Sequence, residues 1–143
     1  MFMGTYEHSL DTKNRLIIPA KFRNQLGDKF VIVKWMEKSL HAFTIEGWEA
    51  YNEQLNQLPS TNKAARQFKR FIFSGAADVE FDRAGRISIP SDLKNYATLD
   101  KDVVIIGGGE ASFEIWDAQT FKAYNDDTAN NFDEIVDDFD FDI

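Results

Sequence analysis

Short hydrophobic runs follow one another along this chain in an order that occurs twice. Four runs in the first half have strand character, namely 6–10, 16–18, 30–33 and 42–45. The last two are repeated in the second half at 103–106 and 112–116. Because residues 6–10 and 16–18 are separated only by a tight turn, we expect them to pair as a β-hairpin.

Helical spacing follows these strands. Pro19 and Pro90 each come directly after a strand and suit the first turn of a helix, because proline fixes φ and has no N–H. The helices after them are marked by Phe22 with Leu26, and by Leu93 with Tyr96 or Ala97. Further helices are marked by Trp48, Tyr51, Leu55 and Leu58, and by Phe121 with Tyr124. Each copy thus predicts the order β-β-α-β-β-α, an α+β fold made by duplication.

A helix between the two copies is predicted to begin at Ser60, Thr61 or Asn62. Its spacing predicts that Phe68, Phe71 and Ile72 face inward. Its basic residues would face outward, as a solvated surface or as phosphate contacts: Lys63, Arg66, Lys69 and Arg70. The domain division that follows is a first unit at 5–47, a helical linker at 48–75, a second unit at 76–119 and a C-terminal segment at 120–143.

The most informative duplicated stretch is a ten-residue motif. The sequence from Asp11 to Ala20 returns 71 positions later as Asp82 to Ser91, with an Asp-x-x-x-Arg pair, a strand pattern and a proline in both. The last turn residue in such a loop usually has a positive φ, which Asn and Gly tolerate best. Asn14 and Gly85 stand at that position, so each copy has its own turn-shaping residue.

The Asp-x-x-x-Arg pairs are candidate functional residues. Asp11 and Arg15 flank the first turn, and Asp82 and Arg86 flank the second, so that each pair of side chains can meet. A surface ion pair of this kind contributes at most about 1 kcal/mol to stability. Because turn stability does not demand Asp and Arg at both sites, we favour a second interpretation, in which the carboxylate orients a guanidinium toward phosphate or guanine.

Other bases lie close to these pairs in the sequence. Arg15 and Arg86 are predicted to contact bases, while Lys13 and Arg83 inside the turns are predicted to anchor phosphates. Lys21 and Arg23, in the following helix, would extend the basic rim. The predicted ligand of this surface is double-stranded DNA.

The net charge of −8 is unevenly distributed. Residues 126–143 hold eight of the 24 acidic residues and no base, so the other 16 acids balance the 16 Lys and Arg residues. Phe132, Ile135, Val136 and Phe139 follow helical spacing there, with acids on the opposite face. This acidic amphipathic helix could dock on the body or on a neighbouring subunit. Alternatively, the tail could stay mobile and compete with DNA for the basic face.

Composition excludes several kinds of site. The chain has no cysteine, which excludes disulfides, thiolate zinc sites and a cysteine nucleophile. His8 and His41 have no evident partner and are predicted to be surface or interface residues rather than ligands. The glycine run at 107–109 lacks the P-loop context and is better explained as a hairpin turn. We therefore expect no metal, no cofactor, no catalytic residue and, without a long apolar run, a cytoplasmic protein.

Two other classes of function are compatible with parts of the pattern. One is a small β-barrel enzyme that uses Asp11 and Asp82 as an acid/base pair, but adjacent arginines would keep both carboxylates ionised. The other is an antitoxin-like protein-interaction module, which usually has one DNA-binding unit and a disordered tail. Two units fill this chain instead.

The chain resembles the MraZ family of transcriptional regulators over nearly its whole length. The matching residues include Phe2 to Asp11 with Arg15, Ile18 to Arg23, Arg70 to Ala76, Asp82 to Pro90 and Glu114 to Trp116. The resemblance implies two tandem SpoVT/AbrB-like, β-barrel-type units in a ring-shaped homo-oligomer, commonly an octamer. It also implies regulation, mainly repression, of the division and cell-wall gene cluster, through direct repeats upstream of its own operon and through the Asp-x-x-x-Arg surface. A protein of this kind would be associated with the nucleoid.

Overall fold

Eight strands and six α-helices within residues 1–141, the part of the chain described by the computed structural model, follow the predicted order. The first copy consists of β1 (Thr5–Ser9), β2 (Arg15–Ile17), α1 (Ala20–Leu26), β3 (Lys29–Lys34), β4 (Leu40–Phe43) and α2 (Ile45–Asn56). Then comes α3 (Lys63–Gly75). The second copy consists of β5 (Ala77–Glu80), β6 (Arg86–Ser88), α4 (Ser91–Tyr96), β7 (Asp102–Gly107), β8 (Ser112–Asp117) and α5 (Ala118–Asn130), and it is followed by α6 (Phe132–Val136). The α+β class and the duplication are confirmed.

The strands form two antiparallel sheets, and each sheet contains strands from both copies. The larger sheet has the order β1-β7-β8-β4-β3-β5, and the smaller is a ribbon of β2 and β6. The predicted hairpin of residues 6–10 with 16–18 is wrong: β1 pairs with β7 and β2 pairs with β6. The tight turn exists, but the strands diverge beyond it. Neither sheet is a closed barrel among the described residues.

A pseudo-twofold relationship connects the copies. Exchanging β1 to β4 with β5 to β8 reverses the order of the large sheet onto itself. Leu16 and Ile87, equivalent in the 71-residue repeat, pair with each other in the ribbon. His41 and Glu114, each three residues before the N-cap of α2 or α5, pair between β4 and β8. The functional motifs of the two copies therefore come together at the ribbon.

Two apolar clusters hold these layers together. The main core lies between the large sheet and the ribbon and includes Leu16, Phe22, Ile87, Leu93 and Phe113, all fully or almost fully buried. A smaller cluster on the other face of the large sheet packs α2 and α3 against β3 and β4. Because the ribbon covers the main core with one face only, its other face is available to solvent.

Four details differ from the sequence predictions. Phe71 was expected to face inward but is 45% exposed, and His41 is buried rather than on the surface. Thr44 is the N-cap of α2, accepting from Gly47 N at 2.9 Å, so the strand predicted at 42–45 ends at Phe43. The acidic helix ends at Val136, before Phe139. Asp142 of the acidic tail lies outside the described residues.

Other predictions are confirmed by local geometry. Asn62 caps α3 by accepting from Ala65 N, and the glycine run at 107–109 lies at the turn of the β7–β8 hairpin. Pro19 and Pro90 sit one residue before α1 and α4. The domain boundaries proposed at 5–47, 48–75, 76–119 and 120–143 stay a prediction. None of the helices within residues 1–141 has the length and apolar character that a membrane span requires.

Candidate nucleic-acid interface

The two Asp-x-x-x-Arg turns have the same hydrogen bonds. In the first, Asp11 Oδ1 accepts from the backbone N–H groups of Lys13 and Arg15 at 2.9 and 2.8 Å. Its Oδ2 accepts from Arg15 Nε at 2.7 Å. In the second, Asp82 Oδ1 accepts from Ala84 and Arg86 N–H groups, both at 2.9 Å, and Oδ2 accepts from Arg86 Nε at 2.8 Å. Each aspartate therefore both closes its turn and orients its arginine.

The turn-shaping residues have the predicted backbone. Asn14 has φ 59° and Gly85 has φ 78°, both in the left-handed region. Their carbonyl oxygens also connect the copies, because Asn14 O accepts from Ile89 N at 2.9 Å and Gly85 O accepts from Ile18 N at 3.3 Å. Each turn is thus tied to the strand end of the other copy, which fixes the spacing between the two arginines.

The outer face of the ribbon presents four side chains. Leu16 and Ile87 point into the core and are at most 1% exposed. Alternation along a strand then places Arg15, Ile17, Arg86 and Ser88 on the opposite face. Arg15 pairs with Ser88, and Ile17, 46% exposed, pairs with Arg86. The sequence predictions identified the two arginines on this face but missed Ile17 and Ser88, since the pairing of β2 with β6 was not foreseen.

Both carboxylates of the site stay ionised. Backbone hydrogen bonding from Arg15 is the main cause that lowers the pKa of Asp11, and the Arg15 side chain adds to it. Backbone hydrogen bonding from Arg86 lowers the pKa of Asp82 in the same way. An ionised carboxylate can accept all three bonds but cannot donate a proton. The geometry therefore supports an orienting role for the two aspartates.

Cations from both copies surround the two turns. Lys13 and Arg83 are exposed within the turns. A Cβ on Gly85 would meet the Arg23 side chain, so α1 of the first copy places Arg23 over the turn of the second copy. In return, Lys94 of α4 lines a depression of about 610 Å³ beside the first turn, together with Asp11, Asn14 and Lys101.

Lys94 was missed by the sequence predictions. The repeat could have identified it, because Lys94 stands 71 positions after Arg23 and is therefore its equivalent in the second copy. The site thus contains two oriented guanidinium groups within a rim of cations, on one face of a two-stranded ribbon. Guanidinium groups bind phosphate oxygens or guanine O6 and N7 through pairs of N–H donors. In both motifs the hydrogen bond to the motif's own aspartate uses Nε, which leaves both terminal nitrogens of Arg15 and Nη2 of Arg86 to contact a ligand.

His41 is a buried residue of the large sheet, on strand β4. Within residues 1–141 no cluster of three or more metal-binding side chains occurs. His41 is stacked against Trp35 and Phe43, and burial lowers its pKa to about 4. His41 Nδ1 lies 3.7 Å from Glu114 Oε2, and burial raises the pKa of that carboxyl. This pair lies on the pseudo-twofold axis, in the helix-covered layer of the large sheet.

Comparison with known proteins gives one consistent result. The chain matches the model of the MraZ protein family twice, over residues 1–71 and 72–141. The description of that family adds the words antitoxin-like. A protein of Leuconostoc mesenteroides subsp. mesenteroides named "Transcriptional regulator MraZ" is 58% identical over 100% of both chains. Proteins with the same name from Leuconostoc citreum and Oenococcus oeni are 56% and 54% identical, covering 99% and 100% of this chain and 100% of their own lengths.

Proposed function

The chain belongs to the MraZ family, and on that premise we propose that it is a sequence-specific DNA-binding regulator of transcription. The observation that carries this proposal is the pair of aspartate-oriented arginines on one exposed ribbon face. A two-stranded β-ribbon fits the major groove of B-DNA. The relatives named transcriptional regulators are consistent with such a role and name no catalytic activity.

The side chains of the interface contact two different parts of the DNA, the base edges and the phosphates. Arg15 and Arg86 contact base edges, because their orientation is fixed by Asp11 and Asp82. Ile17, beside Arg86 on the same face, provides an apolar contact of the kind that suits a thymine methyl group. The phosphate contacts come from the surrounding cations, namely Lys13, Arg23, Arg83 and Lys94.

Self-association is part of the proposal. Two arginines in one chain give a weak and salt-sensitive contact with DNA. A ring-shaped homo-oligomer, an octamer by analogy with the family, would present several such contacts to spaced direct repeats and raise the effective concentration. Exposed aromatic side chains on α3 supply apolar surface for assembly, since Phe71 and Phe73 are 45% and 37% exposed.

The biological role follows from the family rather than from the geometry. We propose that the protein binds direct repeats upstream of its own operon and mainly represses the division and cell-wall genes found there. It would act in the cytoplasm, in association with the nucleoid.

An acid/base enzyme is the less favoured alternative. The lowered pKa values of Asp11 and Asp82 keep both groups in one protonation state near neutral pH, whereas general acid/base catalysis needs a group that exchanges protons there. Their three hydrogen bonds also occupy the carboxylate oxygens. The geometry suits the positioning of arginine better than proton transfer.

Selection of bound fragments from a random pool of duplex DNA tests the proposal directly. The pool is incubated with the full chain at moderate salt, and bound sequences are scored for a short motif and for its spacing. We expect a repeated motif at regular intervals. Recovery of sequences without any shared motif would contradict a sequence-specific regulator.

A further inference from the structure

The C-terminal helix α6 has an apolar face that is largely exposed among the described residues 1–141. Phe132 and Ile135 of this helix are 58% and 38% exposed, and Phe139, three residues beyond its end, is 54% exposed. Asp133 and Glu134 lie on the other side of the helix, and Asp137 and Asp138 directly follow it. Its contacts within the chain are mainly with α5. An apolar strip with an acidic border is suited to an apolar groove with a basic border.

The same chain contains such a groove, on a different element. The groove, here called the Phe71 groove, lies between α3 and the short 3₁₀ turn Met36–Lys38, with a volume of about 210 Å³. Trp35, Met36, Phe68, Phe71 and Tyr96 provide its apolar lining. Met36 is 56% exposed and Phe71 is 45% exposed, so a large part of this surface is open to solvent.

Three cations and one carboxylate, Glu37 of the 3₁₀ turn, border the Phe71 groove, so the border is positively charged overall. Lys34 Nζ lies 5.1 Å from the centre of the Phe71 ring and 5.7 Å from that of Tyr96. Lys38 Nζ lies 5.0 Å from the Tyr96 ring, and Arg70 is exposed on the adjacent surface of α3. These three cations would face the acidic side chains of a docked α6 segment while its apolar side chains fill the groove.

We propose that α6 of one copy binds in the Phe71 groove of a second copy. Each chain then donates one α6 and receives one, so the contact joins two different surfaces and repeats from copy to copy. Contacts of this head-to-tail type form a closed ring when the rotation that relates neighbouring copies allows closure. The inference rests on the proposed self-association and specifies one of the contacts that would produce it. The acidic tail is then an assembly element rather than a competitor of DNA.

Cysteine crosslinking tests this contact, because the chain has no cysteine of its own. A tagged Phe71→Cys chain and an untagged Ile135→Cys chain are expressed together, oxidised and separated on a non-reducing gel. A disulfide between the two chains is expected, since the side chains would be close enough to bridge. Asp133→Cys, on the acidic side of α6, replaces Ile135→Cys as the matched control and is expected to give severalfold less of the mixed dimer.

Two further variants guard against a local folding defect. Met36→Cys, at the other side of the groove, replaces Phe71→Cys in a second pairing with Ile135→Cys. In a separate chain, Phe132→Ser with Ile135→Ser should raise the concentration at which half of the protein is assembled by at least about tenfold. Analytical ultracentrifugation measures that concentration, and circular dichroism confirms that the variants are folded.

The outcomes separate this contact from the proposed self-association. An oligomer that gives no mixed disulfide with either groove variant overturns the α6 contact and leaves self-association intact. A disulfide within a single Phe71→Cys/Ile135→Cys chain also overturns it, because α6 would then dock on its own body. A protein that sediments only as a monomer overturns both. Unchanged assembly of the Phe132→Ser/Ile135→Ser chain would show that another surface joins the copies.

Discussion

Arg86 of the second copy lies beside Asp11 of the first, with Nη1 4.0 Å from Oδ2. That same oxygen accepts from Arg15 Nε at 2.7 Å. Asp11 therefore interacts with the side chains of both arginines, whereas within residues 1–141 Arg86 is the one arginine that forms an ion pair with Asp82. The two motifs form one shared site across the pseudo-twofold axis.

Removing the charge of Asp11 should weaken DNA binding more than removing the charge of Asp82. Asn in place of Asp keeps the shape but cannot hold the positive charge of either arginine in place. We expect about a tenfold rise in the Kd for specific DNA with Asp11→Asn and about a threefold rise with Asp82→Asn. Fluorescence anisotropy with a labelled duplex measures both. Equal effects would argue against a shared site.

The stabilising effect of these two carboxylates should disappear in acid. Their pKa values are lower in the folded chain than the ordinary value of 3.8, so their contribution is complete above that pH. It is lost as the pH falls through the lower folded-state values, because these carboxylates bind protons more tightly in the unfolded chain than in the folded one. Urea unfolding of the wild type and of Asp11→Asn/Asp82→Asn should give curves whose separation is constant near neutral pH and vanishes in strong acid.

Replacing Gly85 by Ala should destabilise the chain by about 1–2 kcal/mol, because a residue with a Cβ is strained at φ 78°. The Arg23 side chain would also have to move from the turn. The matched control is Asn14→Gly at the equivalent position, where φ is already 59°. It should change the unfolding free energy by no more than about 0.5 kcal/mol. Urea denaturation compares the two, and a larger loss in the control would contradict the turn analysis.

His41 should make the fold sensitive to mild acid. Its pKa is about 4 in the folded chain and 6.5 ordinarily, so between these values the unfolded chain binds more protons. Stability should therefore fall by about 3 kcal/mol as the pH drops through this window. Glu114 opposes this effect, because a raised carboxyl pKa favours the folded state on acidification. The free energy of unfolding of Glu114→Gln is compared with that of Glu114→Gln/His41→Gln across this pH range, which isolates the effect of His41. Parallel curves would contradict the prediction.

Much of the fold is encoded in features that the sequence displays locally. The apolar spacing of Phe22 with Leu26, the cap at Asn62 and the left-handed positions Asn14 and Gly85 all depend on near neighbours, and all are confirmed. Strand pairing depends on distant residues instead. The turn at Asp11 looks like a hairpin in isolation, but Leu16 gains a buried partner only by pairing with Ile87.

The residues of the candidate site were likewise predictable where they belong to a local motif and missed where distant contacts bring them to the site. The repeated motif identified Asp11, Arg15, Asp82 and Arg86, and the structure brings all four together. Lys94 and Ile17 were missed because contacts between the two copies bring them to this surface. Lys94 of the second copy lies beside the first turn, and Ile17 of the first copy pairs with Arg86. His41 was misplaced because its burial results from Trp35 and Phe43, which only the folded sheet brings around it.

The most direct measurement of the central claim is a gel shift with selected duplex DNA and a scrambled competitor. Arg15→Ala/Arg86→Ala should lose the specific complex while sedimenting as the same oligomer as the wild type. Arg15→Lys/Arg86→Lys keeps the charge but lacks the planar fork, so it should keep non-specific binding while its preference for the selected sequence falls at least about thirtyfold. Lys122→Ala, on helix α5, which packs against β7 and β8 of the large sheet, should bind like the wild type. A specific complex that persists in Arg15→Ala/Arg86→Ala would contradict the account.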